Sequence, residues 1–68
     1  MTIGQFQQLL GYLYRTTYKG DTGVQLCLLE LGYAVKRLLE NDRLTPFDDY
    51  DEYKEMIFKE YRGVNINE

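Results

Sequence analysis

The residues best equipped for chemistry lie in the C-terminal third. The stretch PFDDYDEYKEMIFKEYRG, residues 46–63, carries six carboxylates and two lysines between Phe47 and Tyr61. Carboxylates at this density could hold Mg²⁺ or Ca²⁺ through hard oxygen ligands, or present a surface that imitates a phosphate backbone. The calcium reading fails on spacing, because DDYDE has neither the glycine nor the ligand intervals of a calcium loop. Elsewhere the inventory is thin: the chain has no histidine, no serine and a single cysteine, Cys27, with no evident base beside it. The expectation is therefore a non-enzymatic protein with no cofactor and no metal site.

Two further stretches invite a chemical reading. KGDTG, residues 19–23, leads into a helix and could offer amide hydrogens to an anion, with Arg15 and Lys19 supplying charge. It is no P-loop: Val24 follows the last glycine where Lys and Ser or Thr would stand, and Asp21 would repel phosphate. The second is the pair of helices on either side of this loop, which has the outline of a helix-turn-helix. Its second helix has no basic residue before Lys36, so it would anchor phosphates poorly, and an αα-hairpin is the better reading.

Three helical segments position these residues. The first opens at Thr2, with Gln5 as capping-box partner, and is expected to close at Gly20. Ile3, Phe6, Leu9, Leu10, Leu13, Tyr14 and Tyr18 share its apolar side. Gly11 lies inside it at a cost of about 1 kcal/mol relative to alanine, which points to close approach of another backbone or to a bend. The second helix starts near Thr22, with Gln25 three residues on, and ends near Glu40 with Asn41 taking the left-handed turn. Val24, Cys27, Leu28, Leu31, Ala34, Val35, Leu38 and Leu39 form its core arc, so Cys27 reads as a buried structural thiol. Leu26, Leu29 and Tyr33, spaced i, i+3, i+7, make a second apolar strip on the opposite side.

The third helix is expected to start with Thr45 as N-cap and Pro46 at the first helical position, with Asp48 as the capping-box acid. Phe47, Tyr50, Tyr53, Ile57, Phe58 and Tyr61 lie along one stripe, with Lys54 snorkelling beside it. Gly63 and Val64 resemble a Schellman stop, leaving a polar tail over 64–68. Asp48, Asp51, Glu52 and Glu55 fall on one face, and Glu55 with Lys59 makes an i,i+4 pair. Acids early and bases late is also the order that the helix dipole favours, so a solvated face explains most of this charge without a partner.

These elements define an all-α fold, a small three-helix bundle made of an αα-hairpin and a third amphipathic helix, with residues 1–63 as one domain. Sixty-eight residues bury a modest core, and neither a disulfide nor zinc can reinforce it, so self-association as a homodimer is expected. Residues 1–46 carry five bases and four acids, whereas 47–68 carry three and seven. An acidic working face excludes direct nucleic-acid binding of the usual kind. The lone cysteine, the absence of a basic and apolar leader, and the lack of a long apolar run point to a cytoplasmic protein without a membrane span.

The functional expectation is a protein-interaction module, an oligomeric binder or inhibitor of another, unidentified protein. Leu26, Leu29 and Tyr33 would form its oligomer or partner interface, and Asp48, Asp51, Glu52 and Glu55 an acidic recognition face. Small acidic proteins of this kind are common among phage and mobile-element inhibitors, an association resting on size and composition alone. The alternatives are a nucleic-acid mimic acting through the acidic face, or a binder of a small anion or nucleotide at a subunit interface.

Overall fold

In the computed structural model, the backbone is described for residues 1–66 and side chains for 1–63. The chain forms three helices, α1 (Ile3–Arg15), α2 (Thr22–Glu40) and α3 (Tyr50–Ile66), and no strands among the described residues. Helix α2 packs against both of the others through its wide core arc, while α1 and α3 meet chiefly where Phe6 stacks on Tyr50 with ring centroids 4.3 Å apart. The core is apolar: Ile3, Phe6, Leu10, Ala34, Val35, Leu38, Leu44 and Ile57 are buried, with no buried polar residue among the described residues. Leu31, at the centre of the expected arc, is half-buried against this cluster, and Val35 and Leu38 hold the deeper positions.

The start of α1 explains much of the architecture. A helix begins with four amide groups that lack intrahelical partners, and burying them unpaired is costly. Here all four are satisfied. The Thr2 amide donates to Gln5 Oε1 at 2.8 Å and the Gln5 amide donates to Thr2 Oγ1 at 3.1 Å, the capping box that the sequence announces. The two between them donate across the chain, Ile3 to the Asp48 carbonyl at 2.8 Å and Gly4 to the Pro46 carbonyl at 2.9 Å. In return the Tyr50 amide donates to the Met1 carbonyl at 2.8 Å. Close approach of the two segments depends on Gly4, where a Cβ would stand 3.3 Å from the Pro46 oxygen.

This exchange moves the start of α3. Thr45 and Pro46 do not begin the helix. Residues 45–48 instead form a turn in which Asp48 Oδ2 accepts from the Thr45 amide at 2.8 Å, and α3 begins at Tyr50. At its other end α3 runs through Gly63 to Ile66, so no left-handed stop forms at Gly63, whose helical cost of about 1 kcal/mol is tolerated. The fold-back expected of Val64, and the last two residues of the polar tail, lie outside the described residues.

The other boundaries also shift for local reasons. Helix α1 ends at Arg15, because both the amide and the hydroxyl of Thr16 donate to the Tyr12 carbonyl, and Gly20 adopts its positive φ of 89° five residues later. Asp21, not Thr22, caps α2, its carboxylate accepting from the Val24 amide at 3.2 Å. Gln25 then takes no part in a capping box and donates to the Tyr14 carbonyl at 3.0 Å, tying α2 to the end of α1. The left-handed residue after α2 is Asp42 (φ 58°), one beyond Asn41. The amides of Asp42 and Arg43 donate to the carbonyls of Leu39 and Leu38, a Schellman closure that turns Leu44 into the core.

Candidate functional site

An apolar concavity of about 520 Å³ lies between α1 and α2, and a more polar one of about 560 Å³ adjoins it along α1 from Gly4 to Arg15. Leu10, Leu28 and Leu29 give the first one apolar walls, Tyr14 and Tyr33 stand at its sides, and Arg15 and Lys36 bring positive charge. Two glycines, Gly11 and Gly32, face it from opposite helices, and a Cβ built at either meets nothing within 4 Å. The close backbone approach expected at Gly11 is therefore not made within this chain. Each glycine costs its helix about 1 kcal/mol relative to alanine, and nothing in the fold recovers it. What these glycines provide is an open groove.

Leu26, Leu29 and Tyr33 are uncovered, at 55%, 46% and 59% exposure, so neither α1 nor α3 wraps over the strip. Leu29 and Tyr33 form the α2 side of the groove, and Leu26 extends the apolar surface one turn toward the helix start. Groove and strip together make one continuous apolar face, of the kind that isolated soluble domains seldom leave open. Cys27, expected inside, is exposed as well, as are Leu9, Tyr18 and Phe58.

The least covered large side chain is Phe47, at 88% exposure. It was expected on the core stripe of α3. Because the helix begins three residues later, the ring instead points out of the turn that Asp48 and the start of α1 hold in place. Burying a phenylalanine contributes about 1.5–3 kcal/mol, and this one gains none of it within the chain.

The acidic face is divided. Asp48 leaves it, sitting half-buried in the turn with its carboxylate engaged by the Thr45 amide. Asp51, Glu52 and Glu55 remain together, exposed on the first turns of α3. The ion pairs among the described residues lie elsewhere: the Met1 amino group with Asp49 at 3.7 Å, and Arg37 with Glu60 at 3.5 Å between α2 and α3. Glu55 and Lys59 do not close to ion-pair distance.

Of the two basic residues considered for an anion, Arg15 reaches the groove, where Lys36 of α2 joins it. Lys19 is exposed in the 16–20 turn, and the Asp21 carboxylate occupies the amide end of α2 where an anion would sit. No three acidic or thiol side chains gather at metal-binding distance among the described residues. No described helix is long and apolar enough to cross a membrane. The groove glycines and Phe47 were missed as site residues. The one signal available for them was the cost of two glycines in helix interiors.

No family model matches the chain, and no curated protein or solved structure matches it either.

Proposed function

We propose that this is a non-enzymatic helical interaction module, an oligomeric binder or inhibitor that acts by occupying a surface of another macromolecule. The observation carrying this reading is the continuous apolar face made by the α1–α2 groove and Leu26, Leu29 and Tyr33, uncovered in a chain with eight buried side chains among the described residues. A domain this small gains from covering such a face, and tyrosine and arginine, here Tyr14, Tyr33 and Arg15 beside an apolar cleft, are enriched among the anchors of protein recognition.

A second reading is a nucleic-acid mimic that competes for a basic groove. Asp51, Glu52 and Glu55 favour it, being exposed, close together and not ion-paired in the structure. One experiment separates the two: affinity capture from cell extract with wild type, Leu29→Asp, and the triple variant Asp51→Asn, Glu52→Gln, Glu55→Gln. A protein lost with Leu29→Asp and kept by the triple variant supports binding through the apolar face. The reverse pattern supports the mimic. Capture unchanged by both sets removes both readings.

A further inference from the structure

Phe47 and the groove are two unfinished surfaces of opposite shape and opposite charge. We propose that they complete one another between molecules: the Phe47 turn of one copy inserts into the α1–α2 groove of the next, head to tail. This deepens the reading of the apolar face as an interaction surface, and rests on it, by naming the partner as a second copy of this chain.

Three observations carry the assignment. First, Phe47 is 88% exposed, yet its turn is held by the backbone bonds from Ile3, Gly4 and Tyr50. The turn is pinned beside Gly4, whereas the lining of the groove begins at Gln7, about one helical turn further along α1, and at 88% exposure the ring is not seated in it. Second, the space fits. A dry cavity of about 150 Å³ accommodates benzene, and the groove's 520 Å³ admits a phenylalanine ring with its neighbouring proline, the more readily because Gly11 and Gly32 place no Cβ in the way.

Third, the charges match. Arg15 and Lys36 line the groove and no carboxylate does. Around Phe47 the residues from Arg43 to Glu55 include five carboxylates and two bases, Arg43 and Lys54. Asp48 is engaged with the Thr45 amide and Asp49 with the Met1 amino group, which leaves Asp51 and Glu52 to meet Arg15 and Lys36 of the neighbouring copy. Knob and groove are different surfaces, so copies that engage head to tail propagate into a ring or a chain, whereas a reciprocal exchange between two copies would stop at a dimer in the wild type.

The test is light scattering over a concentration series on wild type, Phe47→Ser, Gly32→Glu and an equimolar mixture of the two variants, with circular dichroism to verify folding. Phe47 is exposed and the Cβ direction of Gly32 is open, so both variants keep the fold. Expected are a concentration-dependent wild-type oligomer that weakens with added salt, two monomeric variants, and a mixture that forms a 1:1 dimer and stops there. In that dimer the intact Phe47 of the Gly32→Glu copy occupies the intact groove of the Phe47→Ser copy. A contact of the groove with the same groove on the second copy would give no such complementation, and its absence overturns the proposal. If Phe47→Ser associates like wild type while Gly32→Glu does not, the head-to-tail mode is wrong and the groove remains an interaction surface. If both variants associate like wild type, the second-copy assignment falls. A wild type that is monomeric at every concentration also overturns the second-copy assignment, and the capture experiment then judges the apolar face alone.

Discussion

Gly4 and Gly11 stand seven residues apart on nearly the same side of α1, and their surroundings are opposite. At Gly4 the chain supplies its own partner: the Pro46 carbonyl takes the glycine's amide proton and would meet a Cβ at 3.3 Å. At Gly11 the neighbourhood is open, and Gly32 across the groove is equally unopposed. One end of the helix is finished by residues from the far part of the sequence, and the other is uncovered. The lesson is that a glycine in a helix need not mark close approach: Gly4 is met by a segment of the same chain, and Gly11 is met by none.

The largest blow to both ends comes from the core they share. Leu38→Asp, at a position 1% exposed, places an unpaired charge among apolar side chains and is expected to unfold a domain of this size, read as loss of the helical circular dichroism signal. Next are the caps. Asp21→Ala removes the carboxylate that accepts from the Val24 amide and should cost about 1 kcal/mol in urea unfolding, whereas Thr22→Ala, at the position first expected to cap, should cost less.

The glycines test the comparison itself. Gly11→Ala and Gly32→Ala should each stabilise the fold by up to about 1 kcal/mol, since the added methyl group meets nothing. Gly4→Ala should gain less than Gly11→Ala or lose stability outright, because the Pro46 oxygen must give way. Equal gains at all three would erase the distinction between the finished and the open end. The smallest expected change in stability is at Leu29→Asp, within about 0.5 kcal/mol, because the leucine is already half in water. A loss of several kcal/mol there would mean that the strip supports the fold.

What could be read from the sequence was whatever depends on near neighbours. The capping box of Thr2 and Gln5, the three amphipathic segments and the second apolar strip of α2 all follow from residues within two turns of one another, and all appear in the fold. What could not be read depends on distant chain segments. The late start of α3 follows from the amides of Ile3 and Gly4 taking carbonyls near Pro46, and no local window contains that pairing. The exposure of Phe47 and the burial of Leu44 follow from the same displacement of the turn and from the Schellman closure before it. Cys27 shows the limit of a helical wheel: its angle places it on the core arc, but early in α2 the neighbouring helices do not cover that arc. Of the candidate site, Leu26, Leu29 and Tyr33 were legible as a strip; the groove that joins two of them to α1 required two helices to be placed together.

The tie between Met1 and Tyr50 also governs how the molecule can assemble in time. The αα-hairpin of α1 and α2 is made of local contacts and can form early, but two amides at the start of α1 have no protein partner until the 46–50 segment arrives. Closing so long a loop carries an entropic cost that the hairpin alone cannot recover. During synthesis, therefore, the Ile3 and Gly4 amides stay with water until the 46–50 segment emerges, and the start of α1 is completed last.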